Sequence, residues 1–174
     1  MIWILVAVGI VAGAVALVGA IGSMLPKEHS VSRMAHFNRP PNEIWEAITD
    51  FLSQPSWRPD LRSVERLPDV GGRQVWRERD KRGQALTMET VESLPPRRLV
   101  RRIADEGLPF GGSWTMDISE YGEVTSLTIT EDGEVKNPFF RFASRFIIGH
   151  TAAIDGHLRA LGKKLGVEVD ATSV

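Results

Sequence analysis

Glu78 and Arg101 are the residues of this chain whose type and position most invite chemistry, because strand alternation sends both toward the interior. Glu78 follows Trp76 by two positions, and Arg101 lies between Leu99 and Ile103, so each shares the parity of large apolar neighbours. Facing one cavity, they could form an ion pair, or one of them could hold a ligand's polar head or move a proton. Lying at strand ends, their long side chains would instead reach water. A third candidate is His150, on the inner stripe of the last helical segment, with His157 one heptad later. An imidazole there could act as a base or share a ligand, although two histidines seven apart without a companion carboxylate motif more often pack or meet solvent. His29 and His36 fall in the linker and first strand and receive no role.

Other chemistries leave no trace. GxSxG, HExxH, Walker and GxGxxG patterns are all missing, so neither a catalytic metal nor a cofactor is expected. The chain has no cysteine, which removes disulfides, thiolate metal sites and a cysteine nucleophile. Lys and Arg number 21 against 22 Asp and Glu, a balance that gives no global argument for nucleic acid. Locally, Arg73, Arg77, Arg79, Arg98 and Arg102 share the outward strand parity, with Lys81 and Arg82 at a hairpin tip. Such a face either meets anionic lipid headgroups or is solvated and neutralised by cross-strand partners such as Glu89.

The elements that must position these residues follow from the pattern of apolar positions and turn residues. Residues 2–25 contain no charged residue, and as a helix they would reach roughly 36 Å, enough to cross a bilayer core of about 30 Å. A cleaved secretory signal is the competing interpretation, but its apolar core is normally shorter and preceded by basic residues. Lys27, Arg33 and Arg39 follow this stretch, which orients a single-pass anchor with the soluble domain in the cytoplasm. Gly9 and Gly13, continued by Ala12, Ala16 and Ala20, form a small-residue row through which a homodimer could pack.

A short linker at 26–32 leads to one domain at 33–166, with a tail at 167–174. The domain is expected to open with a strand over 30–38. Pro40 and Pro41 stop it, and Asn42 can cap a helix that presents Ile44, Trp45, Ile48 and Leu52 on one side. Six candidate strands follow between 62 and 131, separated by Gly71-Gly72, Asp80 to Gly83, Pro95-Pro96 and Tyr121-Gly122, which indicates an antiparallel meander. After Asn137-Pro138, one long helix to about Leu165 is expected, with Phe140, Ala143, Ile147, His150, Ile154, Leu158, Leu161 and Leu165 as its apolar stripe. The fold class is α+β, with a curved antiparallel sheet wrapped around a long C-terminal helix and one transmembrane helix in front.

This order of elements resembles the SRPBCC superfamily, the START or Bet v1-like helix-grip fold, and within it the polyketide cyclase/dehydrase group. The resemblance is carried by PPNEIWEAITDF from Pro40, with Trp57 and Pro59 shortly after. It continues in TVESLPPRRLVRRI from Thr90, GGSWTMDI from Gly111 and TSLTITEDGEVKNPFFRF from Thr125. It implies a deep, mostly apolar cavity between sheet and helix that takes a hydrophobic small molecule. Trp57, Trp76, Met88, Trp114 and Met116, with Phe142 or Phe146 from the helix, would supply large adaptable walls, or simply fill a core.

The expected function is membrane-tethered binding of a lipid or isoprenoid-like molecule. One alternative is a cyclase or dehydratase acting on an aromatic or polyketide-like substrate, with Glu78, Arg101 or His150 as acid-base residues. Another is a protein-interaction module whose cavity is vestigial and filled.

Overall fold

The computed structural model describes residues 2–122, 124–149 and 151–174, and only the backbone of Tyr121 and Ile148. The N-terminal apolar stretch forms helix α1, Ile2–Met24, long and apolar enough to span a membrane. Most of its surface is exposed, and only the end around Gly19 and Gly22 is covered. A Cβ on Gly22 would lie 2.0 Å from the carbonyl oxygen of Pro138, and one on Gly19 would lie 3.2 Å from the Phe139 ring. Glycine therefore lets this end of α1 rest against the backbone of the segment beginning at Pro138.

Strand β1, Glu28–Phe37, starts only a few residues after α1, inside the stretch expected to be linker. Helix α2, Pro41–Thr49, begins two residues earlier than expected: Pro40 in extended conformation holds the capping position, and Asn42 lies inside the first turn without capping it. Proline at the first helical position is suited to this entry, because its missing N–H would have no helical partner. A 3-10 turn at Gln54–Ser56 leads into the meander. Its strands are β2 (Leu61–Val70), β3 (Arg73–Asp80), β4 (Ala85–Leu94), β5 (Arg98–Ile103), β6 (Phe110–Tyr121) and β7 (Val124–Val135).

With a last short strand, β8 (Thr172–Ser173), they make an eight-stranded antiparallel sheet in the order β2-β3-β4-β5-β6-β7-β1-β8. The residues after 166, expected to be a tail, thus return to the sheet: Val167, Val169 and Ala171 pack on the core. Arg33 on β1 fastens them, donating from Nη2 to the Ala171 carbonyl and from Nη1 to Ser173, while its Nε meets Asp155 at 2.6 Å. Between β6 and β7, Gly112 (φ 143) pairs with Gly133, and a Cβ on Gly112 would lie 2.3 Å from the Asp132 carbonyl oxygen. Only glycine permits that backbone and that approach.

The C-terminal helical segment differs from the single helix expected. Helix α3, Pro138–Ala143, is capped by the Asn137 side chain, which accepts from the amides of Phe139 and Phe140. It passes into a π-helical turn at Ser144–Ile148 and stops at Gly149, whose φ of 77 and ψ of 151 lie outside helical space. Helix α4, Ala152–Leu165, then carries the buried stripe Ile154, Leu158 and Leu161, and ends in a left-handed Gly166. The apolar repeat runs straight through the break, so periodicity alone did not reveal it.

Parity placed the sheet's inner face correctly. Trp76, Met88, Leu99, Met116, Ile118, Leu127 and Ile129 are all buried, and most of them pack in one cluster with Phe37, Ile44 and Ile48. The sheet grips α4 across this core, and the space left beside the core is the site described next.

Candidate functional site

A cavity of about 400 Å³ lies between the inner face of the sheet and the helical segments after β7. Leu86 and Met88 of β4, Ile103 of β5, and Trp114 and Met116 of β6 form its apolar wall. Alternation along each strand delivers these side chains to one face.

One end of the cavity is polar and buried. Glu78 on β3 and Arg101 on β5 meet across the intervening β4, with Arg101 Nη1 donating to Glu78 Oε1 at 2.5 Å. Arg58 donates from Nη1 to the second Glu78 oxygen at 3.3 Å and to Gln54 Oε1 at 3.0 Å, while its Nη2 holds Asp60 at 2.6 Å. The guanidinium carbon of Arg101 sits 4.2 Å from the Phe51 ring centre, a cation–π contact that shields it further from water. Burial lowers the Arg101 pKa, against the opposing pull of Glu78. Its Nε and Nη2 find no hydrogen-bond partner among the described residues.

His157 of α4 closes this end. Its ring is buried between two indoles, 5.5 Å from Trp57 and 5.7 Å from Trp114, both edge-on. Neither ring nitrogen has a hydrogen-bond partner among the described residues. Burial first, and then the nearby Arg58 charge, push its pKa down to about 3, so the ring is neutral at physiological pH. A buried polar group left unpaired costs about 1–3 kcal/mol, and an oxygen-bearing ligand would recover part of that cost at Arg101 and His157.

The opposite side is held by Glu131 of β7, which accepts from Trp114 Nε1 at 2.8 Å and pairs with His29 at 3.2 Å. Gly133 makes room for this, since a Cβ there would lie 2.3 Å from the His29 ring. The exposed lining residues, Phe110, Phe140, Gly149, Ala152 and Ala153, mark the mouth.

The structure gathers Glu78, Arg101, Met88, Trp114 and Met116 around the cavity. Glu78 and Arg101 are buried and paired, not at water-facing strand ends. Trp57 stands behind the lining against His157. Trp76 is core instead: it packs on Phe51 at 4.9 Å, with Arg66 over its ring. Phe142 and Phe146 pair with each other at 4.9 Å, and Phe140 of the same helix lines the cavity in their place. Phe140 and Phe142 both lie in α3, two positions apart and so on different sides of the helix, while Phe146 follows in the π-helical turn. His150 lies outside the described residues.

Sequence reasoning missed Arg58, Gln54 and Glu131 and gave His29 no role. Arg58 and Gln54 belong to a non-repetitive turn in which no parity points inward; a lone Arg beside Trp57 is their only signal. On the outer face, Arg73, Arg77, Arg98 and Arg102 find carboxylates. Glu89 accepts from Arg102 Nε at 2.8 Å and from Arg73 at 3.5 Å, Arg77 pairs with Glu65, and Arg98 bridges Glu92 and Asp117. Burial pushes the Glu89 carboxyl up, but the hydrogen bonds and charges of Arg102 and Arg73 together outweigh it and hold the group below its usual range. No group of three or more potential metal ligands occurs among the described residues.

Residues 28–166 match the family described as polyketide cyclase / dehydrase and lipid transport. No curated protein matches the sequence. Among solved structures, the Zhui aromatase/cyclase from Streptomyces sp. R1128 is similar with a TM-score of 0.65 at 18% identity, over 80% of this chain and 94% of that one. A START superfamily protein from Mycobacterium smegmatis aligns with a TM-score of 0.60 at 20% identity, over 79% and 97% of the two chains. Norcoclaurine synthase from Thalictrum flavum gives 0.63 at 12% identity, over 79% and 86%. At these identities the solved structures establish the fold and not the activity. The curved sheet gripping α4, the cavity it encloses and a family match that takes in the whole domain from β1 to the end of α4 make this chain a member of the polyketide cyclase/dehydrase and lipid transport family.

Proposed function

We propose that this protein is held on a membrane by α1, with its domain on the cytoplasmic side, and binds a hydrophobic small molecule in the cavity, a lipid or an isoprenoid-like compound carrying an oxygen at one end. The observation that carries this reading is the division of the cavity. Its walls are Leu86, Met88, Ile103, Trp114 and Met116, and its closed end offers Arg101 and His157 with unpaired nitrogens. An apolar body fits the walls, and an acceptor oxygen fits the Arg101 guanidinium. The description of the family, which includes lipid transport, agrees with this reading.

The magnitudes favour binding over acid-base catalysis. A general base works best with a pKa near the operating pH, whereas His157 is held near 3 and takes few protons at neutrality. Both oxygens of Glu78 are occupied by arginines. A cavity of about 400 Å³ also weighs against a vestigial, filled pocket. The reading includes no cofactor and no metal. A Cβ added to Gly9 or Gly13 would meet nothing within 4 Å, which leaves their face of α1 free to pack on a second copy.

The test is fluorescence quenching by a brominated long-chain alcohol added to the full chain in lipid nanodiscs. Wild-type protein should lose a saturable component of indole emission that Trp114→Phe lacks. Equal, unsaturable quenching in both proteins would refute binding at this site.

A further inference from the structure

The segment after Asn137 is unusual for a surface. Phe139 and Phe140 are about half exposed, Phe146 is 61% exposed and Ile147 is 74% exposed. Phe110, also exposed, lies in the same region, because the Lys136 amide bonds to the carbonyl of Pro109. Contiguous large apolar side chains on a surface mark an interaction site.

The position of this patch identifies its partner. It is joined to the end of the apolar helix at three points: Gly22 against the Pro138 carbonyl, Gly19 against the Phe139 ring, and Arg141 Nη1 donating to the Leu25 carbonyl at 2.8 Å. Arg141 thereby satisfies a backbone acceptor just past the helix end, where α1 has no internal partner to offer. Only residues 25–27 separate α1 from β1, and three residues reach at most about 11 Å. The patch is thus fixed beside the point where α1 ends, and cannot move away from whatever surrounds α1. Three exposed basic residues, Lys27, Lys136 and Arg145, lie in or next to it. Aromatic side chains at the headgroup level with basic residues around them are the composition of a membrane-interface element.

We propose that residues 138–148, together with Phe110, form a lip inserted in the headgroup and acyl boundary of the bilayer that α1 crosses, so that the cavity mouth opens directly onto lipid. This rests on the reading that α1 spans a membrane. Phe140 belongs to both features, being part of the exposed patch and of the cavity lining. A hydrophobic ligand would therefore pass from acyl chains to the Met88 and Met116 wall without crossing water, its oxygen-bearing end leading toward Arg101.

The chain has no cysteine, so single labels are direct to place. Ile147→Cys, Phe146→Cys, Val8→Cys in the N-terminal half of α1 and Lys81→Cys on the β3–β4 turn would each carry an environment-sensitive fluorophore. The full-length protein would be held in nanodiscs of phosphatidylcholine and phosphatidylglycerol containing spin-labelled lipid. The inference predicts quenching at 146 and 147 by lipid labelled near the headgroup, at 8 by lipid labelled deep in the chain, and none at 81. Quenching at 8 with 146 and 147 behaving like 81 overturns the lip and leaves the anchor standing. Labels at 146 and 147 that are shielded from an aqueous quencher yet untouched by labelled lipid also overturn it, in favour of a protein partner. No quenching at 8 removes the membrane reading and the lip with it.

Discussion

Arg101 and Glu78 are bonded at 2.5 Å across an intervening strand, both buried, at the closed end of a cavity whose other walls are apolar. The carboxylate balances one guanidinium, and Arg58, itself paired with Asp60, takes its second oxygen. Removing one member of such a pair leaves a buried charge without its counterion. Arg101→Met is expected to destabilise the domain by about 3–5 kcal/mol in urea denaturation. The double variant Arg101→Met, Glu78→Met should recover much of that loss yet fail to retain ligand. Recovery of stability together with undiminished ligand retention would separate the pair from the binding site.

His157 makes stability depend on pH in a defined direction. The folded pKa is about 3 and the unfolded value about 6.5, so between these values the unfolded chain binds the extra proton. Stability is therefore full above about pH 6.5 and falls as pH drops toward 3, by a few kcal/mol over the window. The charged groups acting on the ring are Arg58, Asp60 and Arg101. His157→Phe should flatten this part of the profile, measured as denaturation midpoint against pH. An unchanged slope would show that the ring is not held neutral by burial.

Gly112 and Gly111 differ in what they tolerate. Gly112 has φ 143 and a Cβ position 2.3 Å from the Asp132 carbonyl oxygen, whereas a Cβ on Gly111 meets nothing within 4 Å. Gly112→Ala should cost at least about 1–3 kcal/mol from backbone strain, with more from the clash, and Gly111→Ala much less. Thermal denaturation of the two variants makes the comparison, and equal losses would argue against a special backbone conformation and close approach at Gly112.

The contact between α1 and α3 depends on Gly22 in the same way. Gly22→Val would place a side chain against the Pro138 backbone, which cannot yield as a flexible side chain would. Amide hydrogen exchange over 139–143 should rise in this variant and stay unchanged in Gly13→Val, where there is open space. Equal protection in both would mean that the two helices do not pack at Gly22.

Much of this architecture is legible in the sequence because its signals are local. Gly71-Gly72 and Gly83 mark hairpin turns through positive φ, and strand parity carries Met88, Leu99 and Met116 to the inner face without knowledge of the tertiary structure. Pairing of Glu78 with Arg101 was one of the alternatives that parity allowed; the other, reaching water, fails because both side chains are covered. What escaped has non-local causes. The break at Gly149 is masked by an apolar repeat that continues through it. Arg58 and Gln54 reach the cavity from a 3-10 turn and the residues beside it, where no period exists to read. His29 lines the cavity only because Gly133, a hundred residues away in sequence, leaves it room.

The central claim is that the cavity holds a hydrophobic molecule in the protein as it sits in its membrane. A protease site placed within residues 25–27 would free the domain from full-length protein after purification, and native mass spectrometry would then weigh it. The account predicts a one-to-one hydrophobic adduct on the wild-type domain that is absent from Met116→Trp, whose indole fills the cavity. A bare mass in both proteins, with no uptake from a lipid mixture, would contradict it.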